Sequence, residues 1–449
     1  KINYLIEALV IKYKSYEDYK ETGITWLTMV PKHWEILRTD SVTVYIRNQI
    51  NPDEIKSEFV FHYSIPAVQE TGTGQYDLTE EVGSAKQLIT KKSVLISKLN
   101  PRKATICIAE PKDEITICSS EFIAMEAKKC DLKYLFYLMN SEMNRQRLDA
   151  KVQSVTRSHQ RVYPSDIYRF WTALPSTTEQ QAIASFLDRE TARIDALIQK
   201  KERMIELLKE KRIALITQAV TKGLDPNVSS KDSGIEWLGE VPEHWEIAKV
   251  GNGFSIQLGK MLQPEQDKET DVLVPYLKAI SVQWDKVSVN EETQMWASPD
   301  EIEKYGVRKG DLLVCEGGEV GRASMLTDDI GMVIIQNALH RVRSKTNSTV
   351  FLKYLLQVAA NQLWFDILCN KATISHFTRD KFSELMIPYP PLMEQNAIVQ
   401  HLTDKLRDTQ LLLDRITDSI TLLREYRASL IHHAVTGKID LRDYDVQAQ

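Results

Sequence analysis

The sequence predicts an α+β chain built as a pseudo-twofold internal repeat, with two globular mixed α/β domains carried on two long antiparallel coiled-coil helices. Three observations predict it. The phrase GITWLTMVPKHWEI at 23–36 returns as GIEWLGEVPEHWEI at 234–247. Gly23, Ile24, Trp26, Leu27, Val30, Pro31, His33, Trp34, Glu35 and Ile36 recur at a constant offset of 211 as Gly234, Ile235, Trp237, Leu238, Val241, Pro242, His244, Trp245, Glu246 and Ile247. A second pair of related segments begins at Glu179 and Glu394, an offset of 215. The stretches between phrase and segment differ by four residues in net length and scarcely match in sequence. A common frame therefore holds two different inserts.

The chain divides as follows: 1–36, an N-terminal extension and the first frame phrase; 37–173, the first insert; 174–223, the first long helix; 224–247, a link and the second phrase; 248–388, the second insert; 389–437, the second long helix; 438–449, a tail. A length of 449 residues exceeds one ordinary core, and 43% apolar with 27% charged residues is a globular composition. No run approaches a membrane span. The opening KINYLIEALVIKYKSYEDYK mixes Glu7, Lys12 and Lys14 into a mildly apolar stretch and carries no signal-peptide cleavage pattern. Five cysteines, an odd number without a C-x-x-C pair, argue against disulfide scaffolding or structural zinc and fit a reducing cytoplasm.

The segments from Glu179 and Glu394 lack Pro, and Gly waits until Gly223 and Gly437, where it suits a helix stop. Thr178 is the expected cap of the first; Met393 stands there in the second. Core-type positions Leu402, Leu406, Thr409, Leu413, Ile416, Ile420, Leu423, Arg427 and Leu430 step by 4 and 3 alternately. The same register gives Leu187, Thr191, Ile194, Ile198, Lys201, Ile205, Leu208, Arg212 and Leu215. Such a heptad seam indicates a coiled coil, and about 44 residues make a rod roughly 65 Å long. Arg212 and Arg427 share a seam position, where an Arg can mark register, reach a partner subunit or simply snorkel.

Within the inserts, strands are expected at Ser93–Ser97, Thr105–Ala109, Phe122–Glu126, Asp311–Cys315 and Met332–Gln336. Short helices are expected at Leu132–Asn140 and Phe351–Asn361, each followed by a Ser-His segment, VTRSHQR (155–161) and ATISHFTR (372–379). The net charge of −5 hides local patches. KKSVLISKLNPRK (91–103) has five basic residues and no acid; 145–161 adds Arg145, Arg147, Lys151, Arg157 and Arg161 against Asp149. In the second insert, 339–353 carries Arg341, Arg343, Lys345 and Lys353 without an acid. The stretch 262–303, with ten acids and three lysines, belongs away from a phosphate backbone. Basic segments interleaved with Ser, Asn, Gln and His suit phosphate positioning plus base-edge reading of double-stranded DNA. The candidate DNA-binding residues are Lys98, Arg102, Lys103, Arg157, His159, Arg161, Arg322, Arg341, Arg343, Lys345, Lys371, His376 and Arg379. Trp26, Trp34, Trp237 and Trp245, with Arg212 and Arg427, are the candidate frame or partner contacts.

Motifs for catalysis are missing. The Asn/Asp-Pro-Pro-aromatic tetrapeptide of adenine methyltransferases does not occur, and Gly253 to Gly259-Lys260 has the wrong spacing for a Walker loop. GGEVGR (317–322) reads as a hairpin turn, and nine histidines show no metal spacing. The repeated G-I-x-W-L-x-x-V-P-x-H-W-E, Gly-Asp-Leu-Leu at 310–313, P-P-L-x-E-Q at 390–395 and the helix endings ALITQAVTKG and SLIHHAVTGK lead to a resemblance. Over essentially its whole length the chain resembles the DNA-specificity subunit of Type I restriction-modification systems. The first copy departs from the pattern with Ser93-Val94 for Gly-Asp and Pro175-Ser176-Thr177-Thr178 for the Pro-Pro-Leu form. The resemblance implies a non-catalytic scaffold in which each insert is a target-recognition domain reading half of a split DNA sequence. It implies paired helices that space the half-sites and dock two methyltransferase subunits holding S-adenosylmethionine, with ATP/Mg-dependent motor-nuclease subunits as further candidates. This chain itself would hold no cofactor or metal. Two other readings stay open: a stand-alone nuclease or methyltransferase with an unfamiliar site, and a coiled-coil adaptor without DNA function.

Overall fold

The computed structural model describes residues 13–156, 159–369 and 376–444. The chain falls into two compact units, Lys1–Glu202 with Thr417–Gln449, and Arg203–Ile416. The first unit contains a four-stranded antiparallel sheet in the order Ile106–Ala109, Ser93–Ser97, Phe122–Ala127, Thr43–Ile46. Its strands alternate sides, as the pleat requires. Leu95, Phe122 and Ala124 pack with Phe61, Tyr63 and Cys118 of a five-stranded sheet. Val94, Ile96, Ile123 and Met125 meet Leu135 and Met139 of the helix Leu132–Asn140. The five-stranded sheet, ordered Gln49–Ile50, Lys86–Leu88, Thr116–Ser119, Phe59–Tyr63, Gln75–Leu78, has one parallel pair, Thr116–Ser119 with Phe59–Tyr63.

The second unit repeats the plan with other residues. Its four-stranded sheet runs Ala323–Met325, Leu312–Cys315, Leu339–Ser344, Phe254–Leu258, the same order and all antiparallel. One face packs Leu313, Cys315 and Leu339 with Leu277 and Ile335 of a three-stranded sheet. The other packs Leu312, Val314 and Val342 against Leu352, Leu355, Leu356 and Ala359 of the helix Thr349–Asn361. Again one parallel pair joins Val272–Leu277 to Ile334–Ile335. The fold class read from the sequence holds, and Ser93–Ser97 and Leu132–Asn140 have the expected bounds. The strand expected at Met332–Gln336 shrinks to Ile334–Ile335, and the helix expected from Phe351 begins at Thr349 because the Ser348 side chain caps it on Phe351 N.

Helix α1 spans Thr177–Lys222 and helix α2 spans Leu392–Val435. Thr178 lies inside α1 rather than capping it; Ser176 Oγ accepts from Glu179 N at 3.3 Å and takes that part. In the first unit the two helices run antiparallel, since Asp195 pairs with Arg427 Nε (2.9 Å) and Glu202 with Arg424 (2.8 Å). In the second unit Ile216, Ala219 and Val220 of α1 share a core with Ile398 and Leu402 of α2. Both helices end at a left-handed glycine, Gly223 (φ +74°) and Gly437 (φ +68°).

The frame phrase closes around these ends in the same way twice. Glu179, in the first turn of α1, accepts from Trp34 Nε1 (3.0 Å) and Tyr16 Oη (2.6 Å) and is bonded to His33 Nε2 at 2.9 Å. Glu394 in α2 accepts from Trp245 Nε1 (3.1 Å) and is bonded to His244 Nε2 at 2.8 Å. A carboxylate there also suits the helix N-terminus. Gly437 lies against Pro31 and Trp34, and Gly223 against Pro242 and Trp245. Each phrase thus grips the start of its own repeat's helix and the end of the other. Trp34 and Trp245 are fully buried and Trp237 nearly so. Trp26 is half-buried beside Phe170, with ring centroids 5.7 Å apart.

Candidate nucleic-acid interface

In the first unit, the strand Ser93–Ser97 leaves the sheet through residues 98–104 and returns as Ile106–Ala109. A 3-10 turn at Pro101–Lys103 lies between Asn100 and Ala104, both left-handed at φ +46°. That conformation costs an L-residue about 1 kcal/mol, so neighbours must hold it. They do: Asn100 N donates to Gln160 O (2.8 Å), Val162 N to Lys98 O (3.1 Å) and Lys98 N to Glu121 O (2.9 Å). Three loops therefore converge, bringing Lys98, Arg102, Lys103 and Arg161 to one edge of the unit. Arg161 Nη2 lies 2.8 Å from Glu121 Oε1, Lys98 Nζ 3.9 Å from Glu121 Oε2, and Arg102 Nε 2.6 Å from Asp149 Oδ1.

The second unit builds the same convergence. Leu312–Cys315 turns through 316–322 into Ala323–Met325, so GGEVGR is the hairpin expected, with Gly318 and Gly321 at φ +76° and +78°. Glu316 N donates to Ala338 O (2.9 Å) and Phe377 N to Glu316 O (2.8 Å). These bonds match those of Lys98 one for one. They make Lys98 equivalent to Glu316, and Arg161 equivalent to His376. His376 Nδ1 lies 3.1 Å from both Glu316 carboxylate oxygens. Arg322 is bonded to Glu319 Oε2 (2.8 Å) and Ala279 O (2.9 Å), and Trp284 Nε1 donates to Glu319 Oε1 (3.0 Å). Arg379 is exposed at the start of the helix Arg379–Glu384.

Against this geometry, a family model described as Type I restriction modification DNA specificity domain matches residues 31–207 and 242–422. The chain belongs to that family. It is 22% identical to the type I restriction enzyme MjaVIII specificity subunit of Methanocaldococcus jannaschii, covering 97% of this chain and 99% of the relative. It is 22% identical to the EcoBI specificity subunit of Escherichia coli, over 75% of this chain and 71% of that one. The fold is similar to a solved chain from work on complex assembly and conformational transition of the type I R-M system. There the TM-score is 0.67, with 19% identity over 90% of this chain and 98% of the other. The HsdS subunit of Thermoanaerobacter tengcongensis superposes with a TM-score of 0.54 and 18% identity, covering 91% and 98%.

Within this specificity-family chain, the basic segments divide. Arg343 is spent on Asp311, with Nε to Oδ1 at 2.6 Å and Nη2 to Oδ2 at 2.8 Å, and Asp311 also accepts from Arg308 N. Arg341 Nη1 donates to Gly306 O, and burial pushes its guanidinium below the usual value. Both lie along a strand leading away from Ala338 and the loops, towards Lys345, whose Nζ donates to Gly251 O at 2.7 Å. Arg147 is buried too, stacked 3.9 Å over Phe170, and burial lowers it to about 10. So Arg341, Arg343 and Arg147 are engaged within the fold, and the exposed Lys345 stands at the far end of its strand from the loop edge. Arg427 pairs with Asp195; Arg212 pairs with Asp285, which also holds Lys353. Arg157, Lys371 and the side chain of His159 lie outside the described residues.

Counting bases missed the acids. Glu121 and Glu316 stand at the centre of the two loop clusters, and no local signal in one sequence marks them. Glu179 and Glu394 had a signal, the 215 offset, which located the helices without revealing the Trp clamp. Among the described residues, no cluster of three or more His, Cys, Asp or Glu could hold a metal, and no helix is long and apolar enough to cross a membrane.

Proposed function

We propose that this chain is a non-catalytic, sequence-reading subunit that recognises a bipartite double-stranded DNA target, one half-site per target-recognition domain. The long helices scaffold two methyltransferase subunits that hold S-adenosylmethionine, and motor-nuclease subunits using ATP and Mg join the same assembly in the cytoplasm. The observation that carries this reading is the loop convergence built twice: one hydrogen-bonded frame, two unrelated sets of side chains. A duplicated frame with matched surfaces would read the same bases twice, whereas Lys98 and Arg161 differ in chemistry from their equivalents Glu316 and His376. Two dissimilar readers on one scaffold suit two dissimilar half-sites. Relatives named as specificity subunits at 22% identity support the class of function.

The test is methylation mapping of a host genome carrying the cognate methyltransferase, with and without this chain. Expected is adenine methylation at one split motif that appears only with the chain. Exchanging residues 37–173 for the matching insert of a relative changes one half of the motif and leaves the other. A contiguous motif, or methylation indifferent to this chain, refutes the proposal.

A further inference from the structure

We infer that Arg161 and His376 are the base-reading side chains of the two domains, each aimed by a positioning carboxylate, Glu121 and Glu316. The inference rests on the DNA reading proposed above and goes further, assigning which cations meet bases. The two residues occupy one structural position. Each immediately precedes the residue, Val162 or Phe377, whose N–H bonds the carbonyl of the loop that follows the second sheet strand. Each is tied to an acid of the loop cluster, Arg161 to Glu121 at 2.8 Å and His376 to Glu316 at 3.1 Å. The burial is lopsided in the same sense. Arg161 and His376 side chains are 61% and 53% exposed, while Glu121 and Glu316 are 23% and 14% exposed. A surface ion pair with both partners in water holds little geometry. Here a sunken acid fixes one edge of a projecting cation and leaves its other edge free.

What is left free differs. Glu121 occupies part of the Arg161 fork, and the remaining donors suit guanine O6 and N7 in the major groove. Glu316 engages Nδ1 of His376, so in the neutral ring Nε2 faces outward as an acceptor. An outward acceptor suits the amino group of adenine or cytosine. Arg102 is also paired with a less exposed acid, 71% against 27% for Asp149, but it stands in the loop 98–104 and not at the position Arg161 shares with His376; it and the exposed Lys103 are placed as phosphate contacts would be.

The chain, assembled with its methyltransferase subunits, is tested by methylation mapping and by binding to duplexes varied one base pair at a time. Arg161→Ala is expected to cost about tenfold to a hundredfold in discrimination at one guanine of one half-site, leaving the other half-site unchanged. His376→Ala does the same at one adenine or cytosine of the other half-site. Glu316→Ala matches His376→Ala, Glu316→Gln restores part of the loss by keeping an acceptor for Nδ1, and Glu316→Ala with His376→Ala is no worse than His376→Ala alone. An unchanged motif in Arg161→Ala and His376→Ala overturns the inference. So does a loss of affinity that is uniform over all sequences with a shallower salt dependence, which assigns these residues to phosphates. Both outcomes leave the wild-type split motif standing, so they are separable from failure of the DNA reading itself.

Discussion

Arg343 and Arg102 carry the same charge and have opposite fates. Arg343 neutralises Asp311, a carboxylate 2% exposed, so Arg343→Ala leaves a buried charge short of its partner. We expect a loss of roughly 2 kcal/mol in urea unfolding, discounted because the Arg itself is partly solvated, with the salt slope of DNA binding unchanged. Arg102→Ala or Lys103→Ala should do the reverse, lowering the salt slope by about 1 each with little effect on unfolding. Equal effects of all three on DNA affinity would contradict this division. The sequence could not make it. Arg341 and Arg343 alternate on a strand and so share a face, but the Asp311 that awaits Arg343 comes from the residue just ahead of another strand, Leu312–Cys315. Histidines set the pH response. Burial, then His433 and Lys438, lower His432 to about 4, and burial lowers His62 and His340 from 6.5. Their unfolded rings take up protons that the folded ones refuse. Stability from these groups is therefore complete above pH 6.5 and drains away towards pH 4. Urea midpoints measured from pH 7.5 to 5 should fall, and His432→Gln should flatten the decline.

At the scale of elements, the Gly-rich hairpin of the second unit is the most demanding. Gly321 is left-handed, and a Cβ there would strike the Phe365 ring. Gly321→Ala should cost about 2 kcal/mol or more by denaturant unfolding and displace Glu319 and Arg322 with it; an unaffected midpoint would show the loop to be loose. The hairpin itself was legible, because glycines between two apolar runs have few other uses. The long helices were legible as well, since nine heptad positions outweigh any local ambiguity. Strands such as Thr43–Ile46 and Phe254–Leu258 were not. Four or five residues are too few for periodicity to separate a strand from its surroundings, and their neighbours in the sheet come from 80 or so residues away. The loop convergence was half legible: its basic members stood out, while nothing marked Glu121 and Glu316, which pair with Arg161 and His376 only once distant loops meet.

For the molecule as a whole, the exposed link 224–234 is a covalent convenience. Residues 13–16 already meet 440–444 without one: Asp440 N donates to Lys14 O at 2.7 Å, and the Tyr13 and Tyr444 rings lie 6.4 Å apart between centroids. Chains 1–226 and 227–449 made separately should therefore copurify as one particle by size-exclusion chromatography. Fragment 1–226 alone should aggregate, because its unit lacks Thr417–Gln449; a stable, monomeric 1–226 would count against the contacts described. The same interleaving dictates an order of manufacture. Arg203–Ile416 is one unbroken stretch, whereas Lys1–Glu202 depends on residues translated after it. At about 5–20 residues per second, the ribosome delivers Gly437 to the waiting Trp34 tens of seconds after the stretch Lys1–Glu202 has been made. The globule begun first is finished last, and chaperones that shelter nascent apolar surface have that interval in which to act on it.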